Sequence, residues 1–237
     1  MLVGTADVAS LPTGSVAAWV AEPAVLEEVE VVQAMFEVPY AVRESLLPPA
    51  LHPTNPPTVV VQAWRCGGSP WGAFSLVQLR VQCRSGLRPR GFVVGSTVDG
   101  PAAASGLAEG WGFTPSVGPV AVRRFYDAVT VEAPGLELRA VEPVPLDPGD
   151  VGYSSTLNLA ETPNGLRLVQ LDTDVALERV ERVRVVAASL DGAAWGAPLL
   201  SLRHPVSASV GVGRVVLQPV RYCCRPDVLA FEGTETV

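Results

Sequence analysis

The sequence predicts a mainly β (α+β) protein, a domain of about ten or more strands closed or nearly closed into a barrel, with a few short helices. Three observations predict it. Short runs rich in Val, Leu, Phe and Thr recur from residue 28 onward, set apart by Asp-Gly, Asn-Gly and Pro-Gly turn signals. Helical spacing survives in only a few short stretches. The chain has 237 residues, 48% hydrophobic and 17% charged, so it is long enough to bury a sizeable core and too apolar to be disordered.

Along the chain, residues 1–25 are small and weakly patterned and read as an arm, ordered by contact with the body or with a neighbouring subunit. Residues 26–232 form one domain, since no shift in composition marks a linker, and 233–237 are a tail. Glu28-Val-Glu-Val-Val32 alternates like a half-buried strand. Residues 39–47 open on proline and keep helical spacing until Pro48-Pro49 stops them. Residues 59–64, 74–82 and 92–98 are meander strands between Gly and Ser clusters, and Pro101 opens a second short helix to Glu109. Seven further segments, 120–125, 128–133, 136–141, 156–159, 166–171, 180–189 and 210–221, read as strands.

Charge excludes several classes of function. The 24 acidic residues outnumber 17 basic ones, a net charge of −7, which leaves no broad positive surface for phosphates or anionic lipids. Neither nucleic acid nor membrane is an expected partner. All 17 basic residues are arginine, so chemistry through a lysine Schiff base is impossible. Cys66, Cys83, Cys223 and Cys224 lack CxxC spacing and His52 and His204 lie far apart, so no metal site is readable. Gly211-Val-Gly213 follows no strand-to-helix pattern and supports no nucleotide site. No cofactor is expected. With no apolar run of about 20 residues and no signal-peptide pattern, a cytoplasmic location with reduced thiols is expected.

Several stretches together resemble the acetoacetate decarboxylase family. They are Leu46-Leu-Pro-Pro-Ala-Leu51, Val98-Asp-Gly-Pro-Ala102, and Trp111-Gly-Phe-Thr-Pro-Ser-Val-Gly118 against the family's W-G-F-P-K-K-L-G. Trp195-Gly-Ala-Pro-Leu199, Arg203-His-Pro205 and residues 210–229 resemble its closing strands, so the likeness spans roughly residues 29 to 230. It implies a double β-barrel with an internal cavity, and a homo-oligomer. Two adjacent lysines carry the family's chemistry, and Pro115 and Ser116 stand in their places. The family's pocket glutamates fall on Leu76, or on Ser75 with a one-residue slip, and near Val61, and its pocket arginine near Val29. The resemblance therefore implies a cavity that has lost its charged apparatus, and not an acetoacetate decarboxylase.

Strand parity then sorts the candidates. If Leu76 faces the cavity, so do Phe74, Gln78, Arg80 and Gln82. Val61 carries Ala63 and Arg65 with it, and a one-residue slip exchanges that set for Gln62 and Trp64. The catalytic candidates are the neutral donors Gln78, Thr97, Thr114 and Ser116; the substrate-binding candidates are Phe74, Leu76, Arg80, Trp111, Phe113, Pro115, Val61 and Tyr40. Acid–base groups are few: Glu37, Tyr40, Arg43 and Glu44 read as solvated helix-start residues, and His204 as a turn residue. This inventory points to a cofactor-independent enzyme of natural-product, polyketide-type metabolism that guides cyclisation or isomerisation of a hydrophobic small molecule, a pericyclic ring closure suiting it best. The alternatives are a non-catalytic binder of hydrophobic molecules, and a dehydratase or lyase in which Glu37, Tyr40 or His204 acts as acid or base.

Overall fold

The computed structural model describes residues 2–237. In chain order the strands are β1 (Gly14–Ser15), β2 (Ala24–Glu37), β3 (His52–Pro53), β4 (Thr58–Gly68), β5 (Phe74–Ser85), β6 (Arg88–Val98), β7 (Ser116–Val117), β8 (Ala121–Arg124), β9 (Ala128–Ala133), β10 (Leu136–Leu146), β11 (Ser155–Thr162), β12 (Gly165–Leu171), β13 (Thr173–Leu190), β14 (His204–Leu217), β15 (Tyr222–Cys224) and β16 (Thr234–Thr236). The helices are α1 (Tyr40–Ser45), α2 (Pro101–Trp111) and α3 (Ala230–Gly233). None of the described helices is long and apolar enough to cross a membrane. All strands join one sheet, whose main path runs β16-β15-β12-β11-β6-β5-β4-β2-β14-β13-β10-β9-β8.

That sheet has a hydrophobic core on each face, because its central strands are apolar at both parities. Val32, Ala34, Val61, Ala63, Val77 and Leu79 belong to one core, where Val122, Val131 and Leu138 of β8, β9 and β10 also pack. The far end of the sheet thus folds back over its middle. Val31, Trp64, Leu76 and Val98 belong to the second core, with Val169, Leu171, Val215 and Leu217 from β12 and β14. The result is a sheet wrapped twice, the mainly β double-barrel arrangement expected.

Most predicted elements are found, several with shifted ends. Strand β14 begins at His204, which pairs with Glu37 of β2, so His204 lies on a strand and not in a turn. The arm packs on the body of its own chain: Gly14 pairs with Ala160 of β11, and the amide N–H of Gly4 donates to the carbonyl of Leu51 at 3.0 Å. Helix α2 opens on Pro101 and closes on Gly112 at φ 68°, a left-handed C-cap that glycine adopts without Cβ strain.

Gly211 and Gly213 sit within β14, where β13 and β2 both shift register. A Cβ on Gly213 would lie 2.1 Å from the Ala176 carbonyl oxygen and 2.8 Å from the Leu177 Cα, atoms of the neighbouring backbone that cannot turn aside. Gly213→Ala is therefore expected to destabilise the protein by about 3 kcal/mol, read as a lower midpoint of denaturant unfolding.

Candidate functional site

The site is built on the second face of β4, β5 and β6. Adjacent strands place Gln62 opposite Gln78, and Gln78 opposite Ser96, while Arg80 follows two residues along β5. Gln33 of β2 stands opposite Gln62, whose Nε2 donates to Gln33 Oε1 at 3.4 Å. Tyr153 and Ser154, in the segment before β11, cover the cluster from the other side. Between Gln62, Arg80 and Tyr153 lies a small cavity of about 10 Å³.

Arg80 dominates this interior. Its Nε donates to Gln78 Oε1 at 2.9 Å, a second guanidinium nitrogen bonds the same oxygen, and Nη1 donates to the Ser154 carbonyl at 3.3 Å. Its partners are all neutral. The other two buried arginines each have a carboxylate: Arg43 pairs with Glu44 at 3.0 Å and Arg90 with Asp172 at 2.6 Å. Buried Glu30, on neighbouring β2, is already held by Arg65 at 2.9 Å. Loss of hydration alone pulls Arg80 down to about 9, so the group stays cationic at neutral pH as an uncompensated buried charge.

Around this charge several polar atoms lack partners. Gln78 Nε2, Gln62 Oε1, Ser96 Oγ and Tyr153 Oη are buried without a hydrogen bond of good geometry. Burial raises the Tyr153 hydroxyl above its usual range, an effect that its approach to Ser209 opposes. Buried polar atoms are nearly always bonded, so these four, beside a guanidinium without a counter-charge, single out the cluster as a candidate site.

The predicted residues divide between this interior and other places. Gln78, Arg80, Leu76 and Phe74 share one face, as strand parity requires. Arg80 is buried, not at a solvated rim. Val61 is a correction: it pairs with Leu79 and points into the first core, so Gln62 takes the position beside Gln78. Trp111 and Phe113 are packed in the second core, with the Trp111 indole N–H donating to the Gln218 carbonyl at 2.8 Å and its ring edge-on to Trp71. Thr97, Thr114 and Ser116 lie elsewhere. They line a cleft of about 350 Å³ with Trp195, because β7 pairs parallel to β6 and sets Ser116 beside Thr97. Pro115, half-buried between Thr114 and Ser116, is not part of that lining.

Tyr40 is also corrected. It is exposed, bonds Asn55 Oδ1 at 3.0 Å, and shares a separate surface cleft with Glu37 and His204, away from Gln78. Arg43 is buried beneath α1 and donates to the Thr54 carbonyl, contrary to the solvated role expected of it. The cavity expected to have lost its charged groups keeps one at its centre, Arg80. Gln62 was visible only as a register alternative, and Tyr153, in an irregular segment, carried no signal.

The cysteines are buried and free. Burial pushes the Cys83 thiol up to about 12 and Cys223 up to about 11, and raises Cys66 and Cys224. All four are poor nucleophiles in the folded state. At pH 8 a disulfide reagent such as Ellman's is expected to titrate them only after denaturant is added.

No protein-family model matches the chain, and no curated protein matches it. Solved structures do. The acetoacetate decarboxylase from Legionella pneumophila superposes with a TM-score of 0.72 at 18% identity, over 86% of this chain and 88% of its own. The enduracididine biosynthesis enzyme MppR, complexed with pyruvate, gives 0.67 at 16% identity over 85% and 90%. An acetoacetate decarboxylase-like enzyme from Sphingomonas wittichii gives 0.61 at 14% identity over 84% and 91%.

Proposed function

We propose that this chain, which has the acetoacetate decarboxylase fold and no lysine, is an enzyme that activates a carbonyl compound without forming a covalent bond to it. Arg80 and Gln78 receive a substrate carbonyl oxygen, and the remaining chain is folded for ring closure or isomerisation. The unpaired, buried Arg80 guanidinium is the observation that carries this reading. A cation and an amide N–H fixed in a dry interior stabilise negative charge as it develops on oxygen, and one such donor is worth about 2.7–4 kcal/mol of barrier. Holding a flexible chain in a reactive conformer adds up to about 7–11 kcal/mol in favourable cases.

The reaction this suits is mass-neutral. In a pericyclic closure the π electrons of the substrate become new σ bonds within it, no proton leaves, and no base, oxidant or cofactor takes part. The apolar residues around the polar centre, Val31, Trp64 and Val175, fit a hydrophobic substrate of polyketide type. That MppR, of the same fold, is an enduracididine biosynthesis enzyme supports a place in natural-product synthesis.

Incubation with linear polyketide-type precursors, followed by mass spectrometry and ring analysis, tests the proposal. A product of unchanged mass with a new ring, absent without protein, is expected; ligands that always leave unchanged return the advantage to a binding protein. Borohydride in the presence of acetoacetate is expected to leave no adduct beyond the α-amine, because no lysine is present.

A further inference from the structure

The space beside Arg80 and the size of a chain to be folded do not match. About 10 Å³ admits a single oxygen-sized group, whereas the cleft holding Thr97, Thr114 and Ser116 measures about 350 Å³, within the range of small-molecule sites. Strand β6 runs between Gln78 and this cleft, with Ser96 opposite Gln78. A bulge between the pairs Leu79–Gly95 and Arg80–Val93 leaves Val94 as an extra residue there. On its other edge β6 pairs with β11 only as far as Phe92 and with β7 only from Thr97, so among the described residues no strand borders positions 93–96.

Ser96 links the cleft to Gln78. It stands across from Gln78 with its hydroxyl buried and unpartnered, and it contributes to the wall of the cleft. Gly95 beside it lets the chain at Trp195 approach, since a Cβ there would lie 2.9 Å from the Trp195 carbonyl oxygen. The Trp195 indole N–H donates to the Pro134 carbonyl at 2.9 Å, which fixes the ring as a rigid wall. No charged side chain lines the cleft, although 17% of the sequence is charged.

We infer that this cleft seats the uncharged chain of the substrate, an aliphatic or polyketide-type chain bearing a ketone, whose carbonyl reaches Gln78 and Arg80 through the unpaired stretch of β6. Thr97, Thr114 and Ser116 are then binding residues that serve the oxygens of the chain, and Ser96 positions the carbonyl. The inference rests on the proposed role of Arg80.

Straight-chain methyl ketones from 2-pentanone to 2-undecanone, titrated by ligand-observed NMR, test it. Affinity is expected to rise about fourfold per methylene, the increment for burying one CH₂, until the cleft is full. Ser116→Trp and Ala194→Trp, both at exposed positions of the lining, are expected to flatten that increment while short ketones still depend on Arg80. Arg80→Met is expected to weaken every ketone by a similar factor and to keep the increment. Arg80 dependence with increments that neither tryptophan alters would refute the cleft alone, and increments without Arg80 dependence would refute the proposed chemistry alone. No binding of any ketone up to its solubility limit overturns the inference outright.

Discussion

Arg80→Met is expected to lower the rate of the proposed cyclisation about a hundred- to a thousandfold while the protein stays folded. Methionine keeps the length and the apolar stem of the side chain but removes the cation and its N–H donors. The larger part of the loss belongs in kcat, because a donor fixed before the substrate arrives acts mainly on charge that forms in the transition state, and a smaller rise in KM accompanies the weaker binding of the ketone. Arg80 also sets a pH dependence. Only the protonated guanidinium carries the positive charge that offsets charge developing on oxygen, so the wild-type rate is expected to hold through neutrality and to fall as pH rises through about 9. The residual rate of Arg80→Met is expected to stay level over the same range. Single-turnover rates across that range measure both, and a variant with the wild-type rate removes Arg80 from the mechanism.

The second large effect is on stability and runs the other way. Arg80 is buried without a counter-charge, so taking away both it and the Gln78 oxygen that it holds is expected to stabilise the fold. The double variant Gln78→Leu/Arg80→Met is expected to gain about 1–4 kcal/mol at pH 7, by analogy with buried ionic groups replaced by apolar ones. Removing Gln78 as well matters, since Arg80→Met alone strands an acceptor in the interior. The sign of the pH dependence follows from the lowered value. The unfolded chain holds this proton to the ordinary, higher arginine range and the folded chain only to about 9, so above about 9 the unfolded state binds more protons and wild-type stability rises with pH. The advantage of the double variant is thus full below pH 9 and shrinks above it. Denaturant unfolding of both proteins at pH 7 and pH 10 checks this, and a double variant less stable than wild type at pH 7 contradicts it. Activity lost together with stability gained is the pattern of a group retained for function.

How much of this was legible depends on which separations each inference spans. Alternation along Phe74–Ser85 put Gln78 and Arg80 on one face, because the period of two is a property of one strand. The register between β4 and β5 is set by the hairpin at residues 69–73, and a one-residue difference there exchanged Gln62 for Val61. Thr97, Thr114 and Ser116 lie together because β7 runs beside β6, but their separation from Gln78 depends on which face of β6 each residue takes, which the sequence alone does not show. His204 read as a turn because Pro205 follows it, and long-range pairing with β2 overrode that local signal. Arg43 looked solvated on a short helix, and only the tertiary contact with Thr54 buries it. The bulge at Val94, and the gap between β11 and β7 on the other edge of β6, have no sequence signature beyond Gly95 itself.

The position of β2 between β4 and β14 also bears on how the chain emerges from the ribosome. Ala24–Glu37 is made early, and its β4 edge can be satisfied almost at once. Its other edge waits for His204–Leu217, near the far end of the chain. At about 5–20 residues per second the nascent protein carries that open edge, flanked by the apolar side chains of both unfinished cores, for on the order of ten seconds or more. Such an edge is an invitation to pair with another chain, so synthesis, more than the finished molecule, is where this protein is exposed to aggregation and where a chaperone would find it.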